Sequence, residues 1–163
     1  MPRLLRSVES LLLAAWFGGG LFLIFAAQAA FAAAGNPAAA AAVVGAMLAR
    51  WHYLALGAPF ILLLTEWRGR ALANTARVVL LAAALLAASA QAGIDLRIHA
   101  IRAQSPTPIS ELAKADPVRR AFGRLHGISM SLLALQVLLA GAVVVAAAQP
   151  SARRDTTTRP SMS

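Results

Sequence analysis

Between Glu9 and Arg50 the chain carries no charged residue. A soluble helix needs a polar face, whereas about 20 apolar residues in succession are what a helix needs to cross a bilayer. This run is long enough for one span and the start of a second. The rest of the chain repeats the theme, with 60% hydrophobic and only 13% charged residues among 163 and a mean hydropathy of +0.70. Alanine inflates that figure, but the leucine, valine and phenylalanine runs carry the same message. The composition predicts an all-α integral membrane protein, a four-helix bundle.

Charge and cysteine content narrow the function classes. A formal net charge of +9 would suit a nucleic-acid binder, but the arginines stand at the edges of apolar segments and form no continuous basic run. They are expected to anchor the chain at lipid headgroups, with the bilayer and no nucleic acid as partner. The absence of cysteine excludes disulfides, thiolate metal sites and thiol catalysis.

Punctuation along the chain sets the spans. The first is expected at 8–34, ended by Gly35, with Asn36 and Pro37 as N-cap and first-turn residue of the next helix. Arg50, His52 and Pro59 interrupt the second apolar stretch. It divides into a short extra helix at 37–49, lying near the surface or leaning on the bundle, and a span at 51–67. Trp51 and Tyr53 at one end and Trp67 at the other, about 24 Å apart, read as aromatic belts. Pro59 is expected to kink the second helix or free a backbone carbonyl, which is tolerated where neighbouring helices cover the break. The third span covers 78–96 and runs on as DLRIHAIRA, and a polar loop occupies 103–116. Asp116 and Pro117 then open a helix whose span is 124–148, and the tail at 149–163 is expected to be disordered. PRLLR near the start and AQA at 27–29 resemble parts of a signal peptide, but the apolar run is too long for a usual one. Lys and Arg divide almost evenly between the two sides, giving a slight preference for cytoplasmic termini.

Four antiparallel spans bring all three histidines to the end opposite the termini. Gln91, Asp95, His99 and Arg102 share one face of the third helix. His126, Ser129, Leu133 and Gln136 share one face of the fourth. Ionisable groups inside a membrane are costly, so a ligand pocket is expected at Arg50, Gln91, Asp95, Arg124, His126 and Ser129, with Asp95 paired to Arg124 or Arg50. Its function would be to bind or transport an ion or small polar ligand. The bland alternative is an accessory membrane subunit whose arginines snorkel and whose glutamines set helix register. No HxxxH or ExxH spacing is present. No cofactor and no enzymatic activity are therefore expected, and haem or a metal ion held by the histidines stays open as a third reading. The glycines of AAWFGGGLF make Trp16, Gly18 and Gly19 a candidate packing motif.

The order of three segments is similar to a known family. They are WFGG at 16–19 followed by LF, ARWHY at 49–53 with LALG downstream, and F-x-x-LH-x-x-S at 122–129. Over residues 8–148 the chain resembles the transmembrane protein 205-like family, known in bacteria as domain of unknown function 4149. The resemblance implies a small four-helix protein of the bacterial inner membrane with no assigned activity. Its partner would be a second copy of itself or another membrane protein. An animal relative is associated with resistance to platinum drugs, which implies handling of metal or small molecules. The motif residues carried over by position are Trp16, Gly18, Gly19, Arg50, Leu125, His126 and Ser129. His52 stands where an aromatic residue is expected and is not assigned to the site. WFGG also resembles the copper-resistance D and protoporphyrinogen oxidase membrane families. This chain departs from them in having no histidine in its first helix.

Overall fold

The computed structural model describes residues 2–68 and 75–148, and of residues 2, 3, 5 and 68 the backbone only. These residues form four helices, α1 (Pro2–Ala33), α2 (Pro37–Arg68), α3 (Thr75–Gln104) and α4 (Pro117–Ala148). Each is long and apolar enough to cross a membrane. At 30 to 32 residues they measure about 45–48 Å, longer than a hydrocarbon core of roughly 30 Å, so their ends reach the headgroup layers. Each helix packs on its chain neighbour, and α1 closes the ring against α4. The tail at 149–163, together with Arg70, lies outside the described residues.

The caps form where the sequence places them. Asn36 Oδ1 accepts the Ala38 N–H at 2.9 Å, and Asp116 Oδ1 accepts the Val118 N–H at 2.7 Å. Each satisfies a donor that a helix start otherwise leaves free. The longer connection between α3 and α4 is tied down by Arg119, whose guanidinium donates to the carbonyls of Ser110 and Leu112.

One difference concerns α2, which runs unbroken from Pro37 to Arg68 where the hydropathy pattern divides it. Arg50 and His52 interrupt hydropathy but not backbone hydrogen bonding, and alanine is the best helix former. The alanine-rich half also packs inward, with Ala40 only 3% exposed. Pro59 lies within the same helix and is fully buried, so neighbouring side chains cover the turn whose hydrogen bond it removes.

Buried positions recur at alternating steps of three and four. They are Leu13, Trp16, Gly20 and Leu23 on α1, Trp51, Ala55, Ala58 and Leu62 on α2, and Leu81, Ala84, Ala88 and Gln91 on α3. This is the seam spacing of antiparallel bundles. Trp51 is therefore a core residue, 7% exposed, and not part of an aromatic belt. Trp67, 74% exposed near the end of α2, is the belt-like aromatic, whereas Tyr53, 81% exposed, stands at the middle of that 32-residue helix, away from either interface. The packing motif shifts as well. Gly18 lies on the outer face with open space around it, and Gly19 is in ordinary contact with Trp51. Gly20 is the close approach, because a Cβ there would lie 2.7 Å from Val137 Cγ2 and 3.1 Å from Trp51 Cζ2.

At the end holding the termini, Arg77 of α3 forms ion pairs with Glu9 of α1 and Glu66 of α2. One guanidinium thus joins three helices where each enters the interface. It serves both carboxylates at once, as its fork of donors permits.

Gly20→Ala is expected to destabilise the bundle by about 1–3 kcal/mol, because Val137 is stiff at χ1 and Trp51 has no room to retreat. Gly18→Ala should be neutral or slightly stabilising. Denaturation of the two variants in detergent, followed by circular dichroism, checks the contrast.

Candidate functional site

The α3 seam continues past Gln91 to Asp95 and Ile98, and the α4 seam begins at Ser129. The spacing that builds the core thus carries polar side chains inward as it approaches the end opposite the termini. There, α2 offers mainly small or slender side chains, Ala41, Val44, Gly45, Leu48 and Ala49. Small and polar residues at seam positions leave the core unfilled. The result is a cavity of about 540 Å³.

A directional chain of hydrogen bonds leads to its floor. Gln136 Nε2 donates to Gln91 Oε1 at 2.5 Å, and Gln91 Nε2 donates to Ser129 Oγ at 3.3 Å. The Ser129 hydroxyl donates in turn to Asp95 Oδ1 at 2.7 Å. Gln91, Ser129 and Gln136 are all buried, with at most 2% exposure. Each donor polarises the next, so the chain terminates favourably on a carboxylate. The two polar stripes of α3 and α4 face each other, as their spacing predicts.

Asp95 Oδ2 lies 3.9 Å from His52 Nδ1 of α2, beyond hydrogen-bond length but within electrostatic reach. His52 Nε2 and Gln136 Oε1 are buried without a hydrogen-bond partner among the described residues. Toward the mouth, His126 stacks on Phe122, with ring centroids 5.8 Å apart and planes 6° from parallel. The guanidinium of Arg102 covers the same phenyl ring at 5.0 Å, an arrangement that favours arginine over lysine. Phe31, Leu96, Ile98 and Met130 contribute apolar wall.

Of the six residues expected at the pocket, Gln91, Asp95 and Ser129 are joined by hydrogen bonds, and His126 lines the cavity. The arginines do not join them. Arg50 is exposed and donates to the Ala46 carbonyl of its own helix at 3.3 Å, and Arg124 is exposed and outside the lining. Each lies two residues, or about 200° of helix rotation, from a lining residue, His52 and Phe122 respectively. The expected pairing of Asp95 with Arg50 or Arg124 is therefore replaced by Ser129 and His52. The expectation also missed His52, although Ala41, Gly45, Leu48 and His52 follow the three-four spacing that reveals the other stripes. Among the described residues no three His, Asp or Glu side chains gather as a metal site requires.

Four spanning helices closed around a polar-floored cavity define a multi-pass membrane protein. The family described as a domain of unknown function (DUF4149) matches residues 11–106, more than half of the chain, and the protein belongs to that family. The match covers most of α1, all of α2 and all of α3. The F-x-x-LH-x-x-S segment and the rest of α4, which supply Ser129 and Gln136, lie beyond it. No curated protein and no solved structure matches the chain.

Ser129→Ala is expected to cost about 1–3 kcal/mol, because it leaves Gln91 Nε2 and Asp95 Oδ1 short of a partner away from water. Ser131→Ala is its control, since that exposed hydroxyl bonds only the Gly127 carbonyl of its own helix and its loss should change stability by less than about 0.5 kcal/mol. Unfolding of both variants in the same detergent measures the difference.

Proposed function

We propose that this protein binds a small ligand with an apolar body and a polar group, without chemical conversion, in the cavity between α2, α3 and α4. The observation that carries this reading is the cavity itself, with Asp95 at its floor. The space is a cleft open on one side, lined by exposed residues such as Leu96, His126 and Met130 as well as by buried Ser129 and Ile98. Fixing helix register requires only the Gln136–Gln91–Ser129 bonds. It gives no reason for about 540 Å³ of adjoining space, a size within the usual range for small-molecule sites.

The structural and ligand-binding roles divide along the chain of bonds. The glutamines join α3 to α4 and act structurally, while Asp95 and His52 face the space where a ligand sits. The walls favour an organic molecule over a bare ion, which would gain nothing from Phe31, Leu48 or Met130. Beyond Gln136 the interior is filled by Leu62, Leu81, Ala140 and Val143, and Arg77 ties three helices at the far end. That closure favours binding over open conduction. The reading sets the protein in the bacterial cytoplasmic membrane, with its termini in the cytoplasm and the cavity facing outward.

Purified protein in phosphatidylcholine nanodiscs, mixed with hexanol, hexylamine and hexanoate and analysed by native mass spectrometry, is expected to hold at least one probe at 1:1. Ala92→Phe, which puts a ring into the cavity, should remove the adduct while leaving helicity and the unfolding midpoint close to wild type. A wild-type protein that retains no probe, or an adduct that persists in Ala92→Phe, would overturn the reading.

A further inference from the structure

We infer that the cavity selects a zwitterion, with its ammonium directed inward to Asp95 and its anionic group directed outward to Arg102. This inference rests on the cavity-binding reading above and names its ligand class.

Among the residues that line the cavity, Asp95 is the only carboxylate and Arg102 the only guanidinium, so the permanent charges of the lining are one of each sign. The two ends do not neutralise each other directly. They stand seven residues apart on one face of α3, about 10.5 Å along the helix axis, and among the described residues no arginine or lysine forms an ion pair with Asp95. A cation alone would satisfy the floor and meet a like charge, Arg102, at the mouth. An anion alone would satisfy the mouth and leave Asp95 uncompensated. Either would leave an unbalanced charge in a cleft whose walls are largely apolar, which is costly. A molecule with both charges keeps the cleft neutral and gives each end a partner.

The inner half-site is short of positive hydrogen-bond donors. Ser129 supplies Asp95 Oδ1, while Oδ2 faces His52 only at 3.9 Å. An ammonium has three donors to offer such a carboxylate. The outer half-site holds one fixed cation, with the His99 and His126 rings beside it, and guanidinium with imidazole suits a carboxylate or a phosphate. Between them, Leu48, Ile98 and Met130 supply apolar wall for a short carbon chain. A free amino acid-like solute and an aminophospholipid headgroup both carry this pair of charges.

The test uses three probes with one carbon skeleton, 6-aminohexanoate, hexylamine and hexanoate, titrated into full-length protein in phosphatidylcholine nanodiscs, with protein-free nanodiscs as baseline. The zwitterion is expected to bind at least about tenfold more tightly than either singly charged probe, a difference of about 1.4 kcal/mol or more. Asp95→Asn should remove its advantage over hexanoate. Arg102→Gln, at an exposed position where folding is not at risk, should remove its advantage over hexylamine. Equal or tighter binding of hexylamine or hexanoate by wild type would overturn the inference, as would a preference that survives both substitutions. If hexanol binds and the zwitterion has no advantage, the inference fails and the cavity-binding reading stands. If no probe binds, both fail. Repeating the titration with phosphatidylethanolamine in the nanodiscs identifies the source. Weakened binding of 6-aminohexanoate supports a competing headgroup, unchanged binding supports a free solute, and either upholds the zwitterion chemistry.

Discussion

A polar side chain cut off from water must find its hydrogen bonds within the protein, and in a membrane no solvent remedies a failure. The bonds from Gln136 through Gln91 and Ser129 to Asp95 answer much of that requirement between α3 and α4, with Gln136 Oε1 left unpartnered among the described residues. They fix the register of the most extensive helix pair in the bundle. A slip of α4 by one residue would rotate Ser129 and Gln136 away from Gln91 and strand all three. The cavity sits on this arrangement, because the carboxylate at its floor is the last group in the chain.

The remaining packing adjusts around that pair. Trp51 fills the space beside the glycines of α1, and Gly20 lets Val137 of α4 close from the other side. Trp16, fully buried, occupies the level above. Small residues on the outer half of α2 leave space at the end opposite the termini, and a second cavity of about 500 Å³ lies between α1 and α4 toward the end that holds them. Arg77, bridging Glu9 and Glu66, ties α1, α2 and α3 together at that end.

Much of the site is legible in the sequence. The four helices, their caps at Asn36 and Asp116, and the facing stripes through Gln91, Asp95 and Ser129 all follow from spacing and capping chemistry. The departures share a cause. Opposite charges near one end of a bundle suggest a pair, and that rule alone draws Arg50 and Arg124 toward Asp95. A helix turns about 100° per residue, however, and the two residues that separate Arg50 from His52 and Arg124 from Phe122 turn each arginine to the outer face. Residue type argues against His52, while its spacing already places it with Ala41, Gly45 and Leu48. Trp51 has a belt residue's place in the sequence, although the same helix rotation carries it inward with Ala55 and Ala58.

The sequence by itself determined that the chain has four helices fit to span a membrane and that its three histidines and Asp95 gather at one end. Both properties depend on the order of apolar and polar residues along a single helix, and nearest neighbours on a helix are fixed by its pitch. Only the tertiary structure decided which partner Asp95 takes, that Gly20 rather than Gly18 receives another helix, and that space remains between α2, α3 and α4. Those outcomes depend on how far apart two helices settle and how each is turned about its axis. Both are set by side chains distant in sequence, acting together.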